Sequence, residues 1–331
     1  MDSQFVGPFV DMSSAPPLDI VSLANQYKWS GAVMSHITAD SNGNPVWGET
    51  DYLPVLAPIC SSASLQSDCS QASKVAGNLT SFINKLSYKT IISFGGGIAT
   101  SNSLAQYAQA AVKKGSTQNQ AVNDLVTKIE SVIKMYNNIY GLDFAIQGDA
   151  QGDGSALYWA LALKCIKTKY PKLRISYSIS AEITLVTLKT QVFFPDIFLP
   201  DVFNLFVCNF TSQITSIGNA AVAAIEAIYH ELLPLYPPGS FSYANLGFTP
   251  MAGKDNTNVL NNVMTDMSIM CQFAKKNGVG MLSIIDAQAD LPCNLSDRYN
   301  NMTWCKGSNT TYSGYSAGSY VGAFGNCKPT S

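Results

Sequence analysis

The chain has 331 residues, of which 47% are hydrophobic, enough for a sizeable core in one large domain or two ordinary ones. Charged residues make up only 13% and the net charge is −2, which gives no electrostatic case for nucleic acid or an anionic membrane, and no polyanion partner is expected. No apolar run reaches the ~18 residues of a membrane helix, because Asp196, Asp201 and two prolines break "VFFPDIFLPDVFNLFVCNF".

Strand-like and helix-like runs alternate along the chain. The opening "MDSQFVGPFV" has no basic start followed by a long apolar core, so a secretion signal is expected to be absent or already removed. "FVGPFVDM" is short and apolar, "DIVSLANQY" has helical spacing, and "GAVMSHITA" is strand-like again. Cys60 and Cys69 then bracket "SSASLQSD", read as a polar loop that a disulfide between them would hold. "KTIISFGGG" is the third strand, followed by the helix pair "SLAQYAQAAVKK" and "AVNDLVTKIESVIKMYNN". The second helix of that pair carries Val122, Leu125, Ile129, Val132, Ile133 and Tyr136 on one stripe. "GLDFAIQ", "LRISYSISA", "VFNLFVCNF", "SYANLGFTPM" and "GVGMLSIID" complete eight strands, with helical "SALYWALALKCIKTKY", "AAVAAIEAIYHELLPLY" and "NVLNNVMTDMSIMCQFAKKN" among them.

These strands read as near-continuously apolar, as parallel strands covered on both faces do. Eight β/α units in this length predict a (β/α)8 TIM barrel over residues 1–292, with the active face at the C-terminal strand ends. A doubly wound open sheet would want a Gly-rich phosphate turn after the first strand, and "VDMSSAPPLD" has none. "SFGGGIATS" lacks the Lys-Ser/Thr of a P-loop, so no nucleotide cofactor is expected. From Cys293 the periodicity stops, and residues 293–331 read as a Cys/Gly/Ser/Tyr-rich extension lying on the barrel rather than a separate domain.

Of eight cysteines, Cys60, Cys69, Cys293, Cys305 and Cys327, together with five Asn-x-Ser/Thr sequons at Asn78, Asn209, Asn294, Asn301 and Asn309, point to an oxidising, secretory route. Cys165, Cys208 and Cys271 sit in apolar stretches and read as buried thiols. The only histidines are His36 and His230, and no Cys/His spacing suggests a metal. His36 reads as a satisfied polar group in the barrel and His230 as a helix residue of the outer ring.

Several strand ends together resemble glycoside hydrolase family 18, the chitinase-like barrels. "FVDMSSAPPLDIVSLA", "PVWGE", "ISFGGG", "NLGFTPMAGKDN" and "GVGMLSIIDAQADLPC" are similar to its first, second, third, seventh and eighth strand regions, over roughly residues 5–293. The family's fourth strand carries Asp-x-x-Asp-x-Asp-x-Glu, and the resemblance puts Tyr140, Asp143, Ala145 and Gln147 at those places. The family's glutamic acid protonates the departing sugar oxygen, which needs a titratable proton, and Gln147 has none. Its last aspartate orients the substrate's N-acetyl group, the nucleophile of this substrate-assisted mechanism, and Ala145 cannot do so. At the sixth strand Asn209 and Phe210 stand where the family has Asp and Tyr, and at the eighth Ile285 replaces a tryptophan floor.

The resemblance therefore implies a secreted chitinase-like pseudoenzyme. It would bind an N-acetylglucosamine-containing glycan or serve in self-assembly or with another extracellular protein, without cofactor or metal. Trp47, Gln147, Asn209, Phe210 and Asp286 are the glycan-binding candidates, and Asp143 reads as structural. The alternative is an active hydrolase with relocated carboxylates, for which Asp149, Asp153, Glu182, Asp286 and Asp290 lie at or after strand ends.

Overall fold

The computed structural model describes residues 4–14, 17–48, 53–55, 66–85, 88–96, 103–136, 138–146, 154–181, 194–208, 210, 214–253, 262, 264–295, 311 and 315–327. Eight parallel strands curl into a closed barrel: β1 in two pieces (Phe5–Val6 and Phe9–Asp11), β2 (Gly31–Ala39), β3 (Lys89–Gly95), β4 (Gly141–Ala145), β5 (Arg174–Ser180), β6 (Val202–Phe206), β7 (Leu246–Thr249) and β8 (Met281–Leu282). The first piece of β1 pairs with β8, Phe5 opposite Met281, and the second with β2, Phe9 opposite Val33. Gly7 and Pro8 make the change of partner. Proline has no N–H to give a ladder, yet its carbonyl accepts Val33 N at 2.8 Å and so starts the second pairing. The expected TIM-barrel class is what the chain forms.

Among the described residues the helices are α1 (Ile20–Tyr27), α2 (Gln66–Ile83), α3 (Leu104–Lys113), α4 (Gln118–Met135), α5 (Ala156–Lys169), α6 (Ile217–Leu232), α7 (Asp266–Asn277) and α8 (Ser319–Gly325). Capping sets several boundaries. Ser103 with Gln106 and Thr117 with Gln120 form reciprocal capping boxes, which satisfy otherwise orphaned backbone N–H groups. The Thr117 box starts α4 three residues before the apolar pattern does. α7 begins later than its sequence pattern, at Asp266, whose carboxylate accepts from Gly218 N at 2.9 Å and Ser216 Oγ at 2.7 Å and ties it to the start of α6.

The main core lies between sheet and helices. Outward-facing Phe94 and Phe144 stack at 5.2 Å and meet Trp159 of α5 at 6.0 and 4.9 Å. Inside the barrel the expectation of apolar strands on both faces fails: Ser93, Asp143, Ser176, Ser178, Asn204 and Thr249 are all buried there.

The "SSASLQSD" stretch is corrected in part, because α2 begins at Gln66 and includes Cys69. Val75, Leu79, Phe82 and Ile83 are buried along its second half, and the first half is polar in sequence and so reads as loop. The Cys60–Cys69 pairing lies outside the described residues. Cys271 is not a buried thiol: it forms a disulfide with Cys327, with Cα atoms 5.1 Å apart. Cys293 is also disulfide-bonded. Cys165 and Cys208 are thiols, but Cys165 is exposed on α5 and Cys208 half-buried, because Cys165 falls off the apolar stripe of its helix.

Candidate functional site at the C-terminal end of the barrel

Asp143 faces the barrel axis from the middle of β4. Its register partners are Ser93 on β3 and Ser176 on β5, and side chains at paired positions point the same way. The result is a closed set of hydrogen bonds: Ser93 Oγ donates to Asp143 Oδ2 at 2.6 Å, and Ser176 and Ser178 donate to Oδ1 at 2.6 and 2.7 Å. Asn204 Nδ2 donates to Ser178 Oγ at 2.9 Å, and Thr249 Oγ1 donates to Asn204 Oδ1 at 2.7 Å, carrying the chain to β7. Burial raises the Asp143 pKa to about 6 against the hydroxyl bonds that lower it. The group is fully enclosed, so its visible role is to organise the barrel interior.

Two residues on, Ala145 closes β4, 4% exposed. Its carbonyl accepts Gly96 N at 3.1 Å, and a Cβ on Gly95 (φ +98°) would lie 2.3 Å from the same oxygen. Only glycine permits that approach. Ala145 belongs to an apolar cluster with Phe9, Val33, Ile91, Phe206 and Met281, against which Ile285 and Cys208 pack. Phe9 meets Phe206 at 5.5 Å and His36 at 5.9 Å. Burial lowers the His36 pKa to about 4, which keeps the imidazole neutral at physiological pH. The peptide bonds Ser35–His36 and Ile285–Asp286, both at this end, are cis.

Other sequence-selected residues are placed differently. Tyr140 lies at the opposite, N-terminal end of β4, where Arg174 Nη1 donates to its hydroxyl at 2.9 Å and Lys89 Nζ stands 4.6 Å from its ring centre. Trp47 is 1% exposed, on the short strand Pro45–Trp47 that pairs back onto β2; no face of its ring is open for a sugar. Phe210, 7% exposed, belongs to the main core. Asp286 caps the turn Ala287–Asp290 by accepting Ala289 N at 2.8 Å. Asp290 is buried and accepts the N–H groups of Tyr320 and Val321. Asn78 is half-buried in α2, and its amide nitrogen donates to Leu18 O at 2.7 Å. Asn294 lies in the 3-10 turn Cys293–Leu295. Gln147, Asp149, Asp153, Glu182, Asn209, Asn301 and Asn309 lie outside the described residues.

The serine, asparagine and threonine partners of Asp143 are not among the residues the sequence singles out, which are mostly acids, aromatics and amides. Their signal was present in "RISYSIS", where serines two apart must share a face. Among the described residues no group of three or more His, Cys, Asp or Glu could hold a metal ion, and no helix is long and apolar enough to cross a membrane.

Set against solved structures, this closed eight-stranded barrel is chitinase-like in its fold. The chain is similar to active domain 2 of a chitinase from Pyrococcus furiosus, determined as catalytic-site mutants, with TM-score 0.72 and 18% identity over 99% of this chain and 95% of that one. A second structure of that domain, complexed with chito-oligosaccharides, gives TM-score 0.68 at 18% identity over 99% and 95%. The GH18 chitinase ChiB of Flavobacterium johnsoniae gives 0.58 at 12% identity over 99% and 94%. At these identities the likeness is one of fold. No family model and no curated protein sequence matches the chain.

Proposed function

We propose that this chain is a secreted, catalytically inactive chitinase-like protein that binds an N-acetylglucosamine-containing glycan without cleaving it. The observation that carries the reading is Ala145. At the C-terminal end of β4, where barrel enzymes of this fold keep their chemistry, a methyl group sits packed with Phe9 and Phe206. A methyl can neither accept nor deliver a proton, and Gln147, next on the same side in sequence, has an amide in place of an acid.

A relocated acid pair is poorly supported by the described acids. Asp286 and Asp290 follow β8, but each accepts backbone N–H groups and is buried. The disulfide Cys271–Cys327 and the bonded Cys293 support an oxidising route. We take residues 293–331 as a strap on the barrel, since its helix is held to α7 by that disulfide.

A second reading, a structural or assembly component, draws on the burial of Trp47 and Phe210, the two aromatic glycan-binding candidates. Isothermal titration with a soluble N-acetylglucosamine oligomer separates the readings. Saturating heats on a stable baseline support the binding protein, and their absence across temperatures supports assembly. Continuing heat with product formation would overturn both and assign a hydrolase.

A further inference from the structure

The net charge of −2 conceals a segregation created by the topology. In a (β/α)8 barrel the helix C-termini that lead into the next strand, and the strand starts themselves, gather at one end, opposite the candidate site. Here that end is basic. Lys28 follows α1, Lys85 follows α2, Lys134 and Lys169 lie in the last turns of α4 and α5, and Lys275 and Lys276 close α7; all are exposed. Lys89 and Arg174 open β3 and β5. Cations suit helix C-termini because the helix dipole is negative there, so the fold itself collects them. The carboxylates described at this end are fewer: Glu130 pairs with Lys169 at 2.6 Å and with Lys134 at 3.7 Å, Asp201 pairs with Lys167 at 2.7 Å, and Asp196, Glu226 and Glu231 are the others.

On the same end, between the α4–β4 and α5–β5 turns, lies a groove of about 520 Å³. Ile133 and Leu173, each 8% exposed, form its floor. Tyr170 and the exposed Pro171 form a wall, and exposed Asn138 and Lys172 stand at its mouth. No carboxylate pairs with Lys172 or Arg174 among the described residues.

We propose that this basic end is a binding surface for an acidic polysaccharide, carboxylated or sulfated. Sugar rings present apolar C–H faces to a floor and wall of this kind, while their anionic substituents meet lysines spread around it. Lysine is a compact point charge on a flexible stem, which suits anionic groups repeated along a chain. A lipid surface fits less well: among the described residues Leu233 is the single exposed large hydrophobic side chain at this end. The surface lies at the far end of the barrel from Ala145 and does not depend on the reading of that site.

The test is chromatography of the full chain on immobilised heparin and on immobilised polygalacturonate, loaded at low salt. Retention on at least one resin, with the eluting salt concentration falling about twofold or more in Lys172→Glu/Lys276→Glu, is expected from screened electrostatic binding. Lys113→Glu/Lys114→Glu, at the junction of α3 and α4, is expected to elute unchanged. Flow-through at low salt on both resins, or unchanged elution of the Lys172/Lys276 variant, would overturn the proposal. Equal retention on duplex DNA with the same sensitivity would overturn the polysaccharide assignment. So would salt-sensitive self-association abolished by the same variant, which would assign the surface to a second copy.

Discussion

The carboxylate of Asp290 accepts the backbone N–H of Tyr320 at 3.1 and 3.2 Å, and its Oδ2 also accepts Val321 N at 3.2 Å. A buried acid from the segment after β8 thus caps a helix that lies about thirty residues further on in the chain. The other end of α8 is followed by Cys327, bonded to Cys271 of α7. The tail is fastened to the barrel at both ends of one short helix.

Removal of the cap in Asp290→Ala is expected to cost about 1–2 kcal/mol and to open the tail to protease before the barrel unfolds. Denaturant melts paired with limited proteolysis check it. Cleavage kinetics in the tail identical to those of the parent chain would show that the carboxylate does not hold it.

Breaking the disulfide with Cys327→Ser releases a loop closure across 56 residues of sequence separation. Chain-entropy reasoning puts the expected loss near ~4 kcal/mol. Thermal unfolding of the variant beside the parent reads this directly.

Two buried carboxylates make stability depend on pH in an unusual direction. Burial raises Asp143 to about 6 and Asp290 to about 7, above the ordinary carboxylate value. Between the unfolded pKa and these values the folded chain holds more protons than the unfolded one, so unfolding free energy falls as pH rises. The contribution is full below about pH 4 and is lost through pH 6 to 7. For Asp143 alone it is on the order of 3 kcal/mol, opposed by whatever paired surface carboxylates contribute. Unfolding measured at several pH values in the parent and in Asp143→Asn should show a shallower decline in the variant.

Placing an acid at the end of β4 tests the apolar packing there. Ala145→Asp places a carboxylate among Phe9 and Phe206, and leaving a charge unpaired there costs several kcal/mol. The variant is expected to be less stable than the parent at pH 8 and to recover part of the loss at pH 5, where the new acid can protonate. Equal stability at both values would mean that the barrel mouth is open to water at this position.

Much of the molecule was legible in one dimension. The order of eight strands, the stripe of α4 from Val122 to Tyr136, and the glycine at Gly95 all follow from local rules of periodicity and steric freedom. α2 escaped because its apolar residues occupy only its second half. The polar interior escaped because "LRISYSISA" reads with the other strands as near-continuously apolar, and only the barrel gives its serines a common carboxylate.

The sequence by itself determined the fold class, the alternation that closes it, and the presence of an alanine at position 145 and a glutamine at position 147, since each depends on residue type and spacing along the chain. Only the tertiary structure decided that Trp47 and Phe210 are buried, that Cys271 finds Cys327, that Asp143 and Asp290 hold partners far away in sequence, and that lysines scattered from Lys28 to Lys276 stand at one end. These depend on which strands become neighbours and which termini meet, and a linear pattern of hydrophobicity and charge does not contain distances through space.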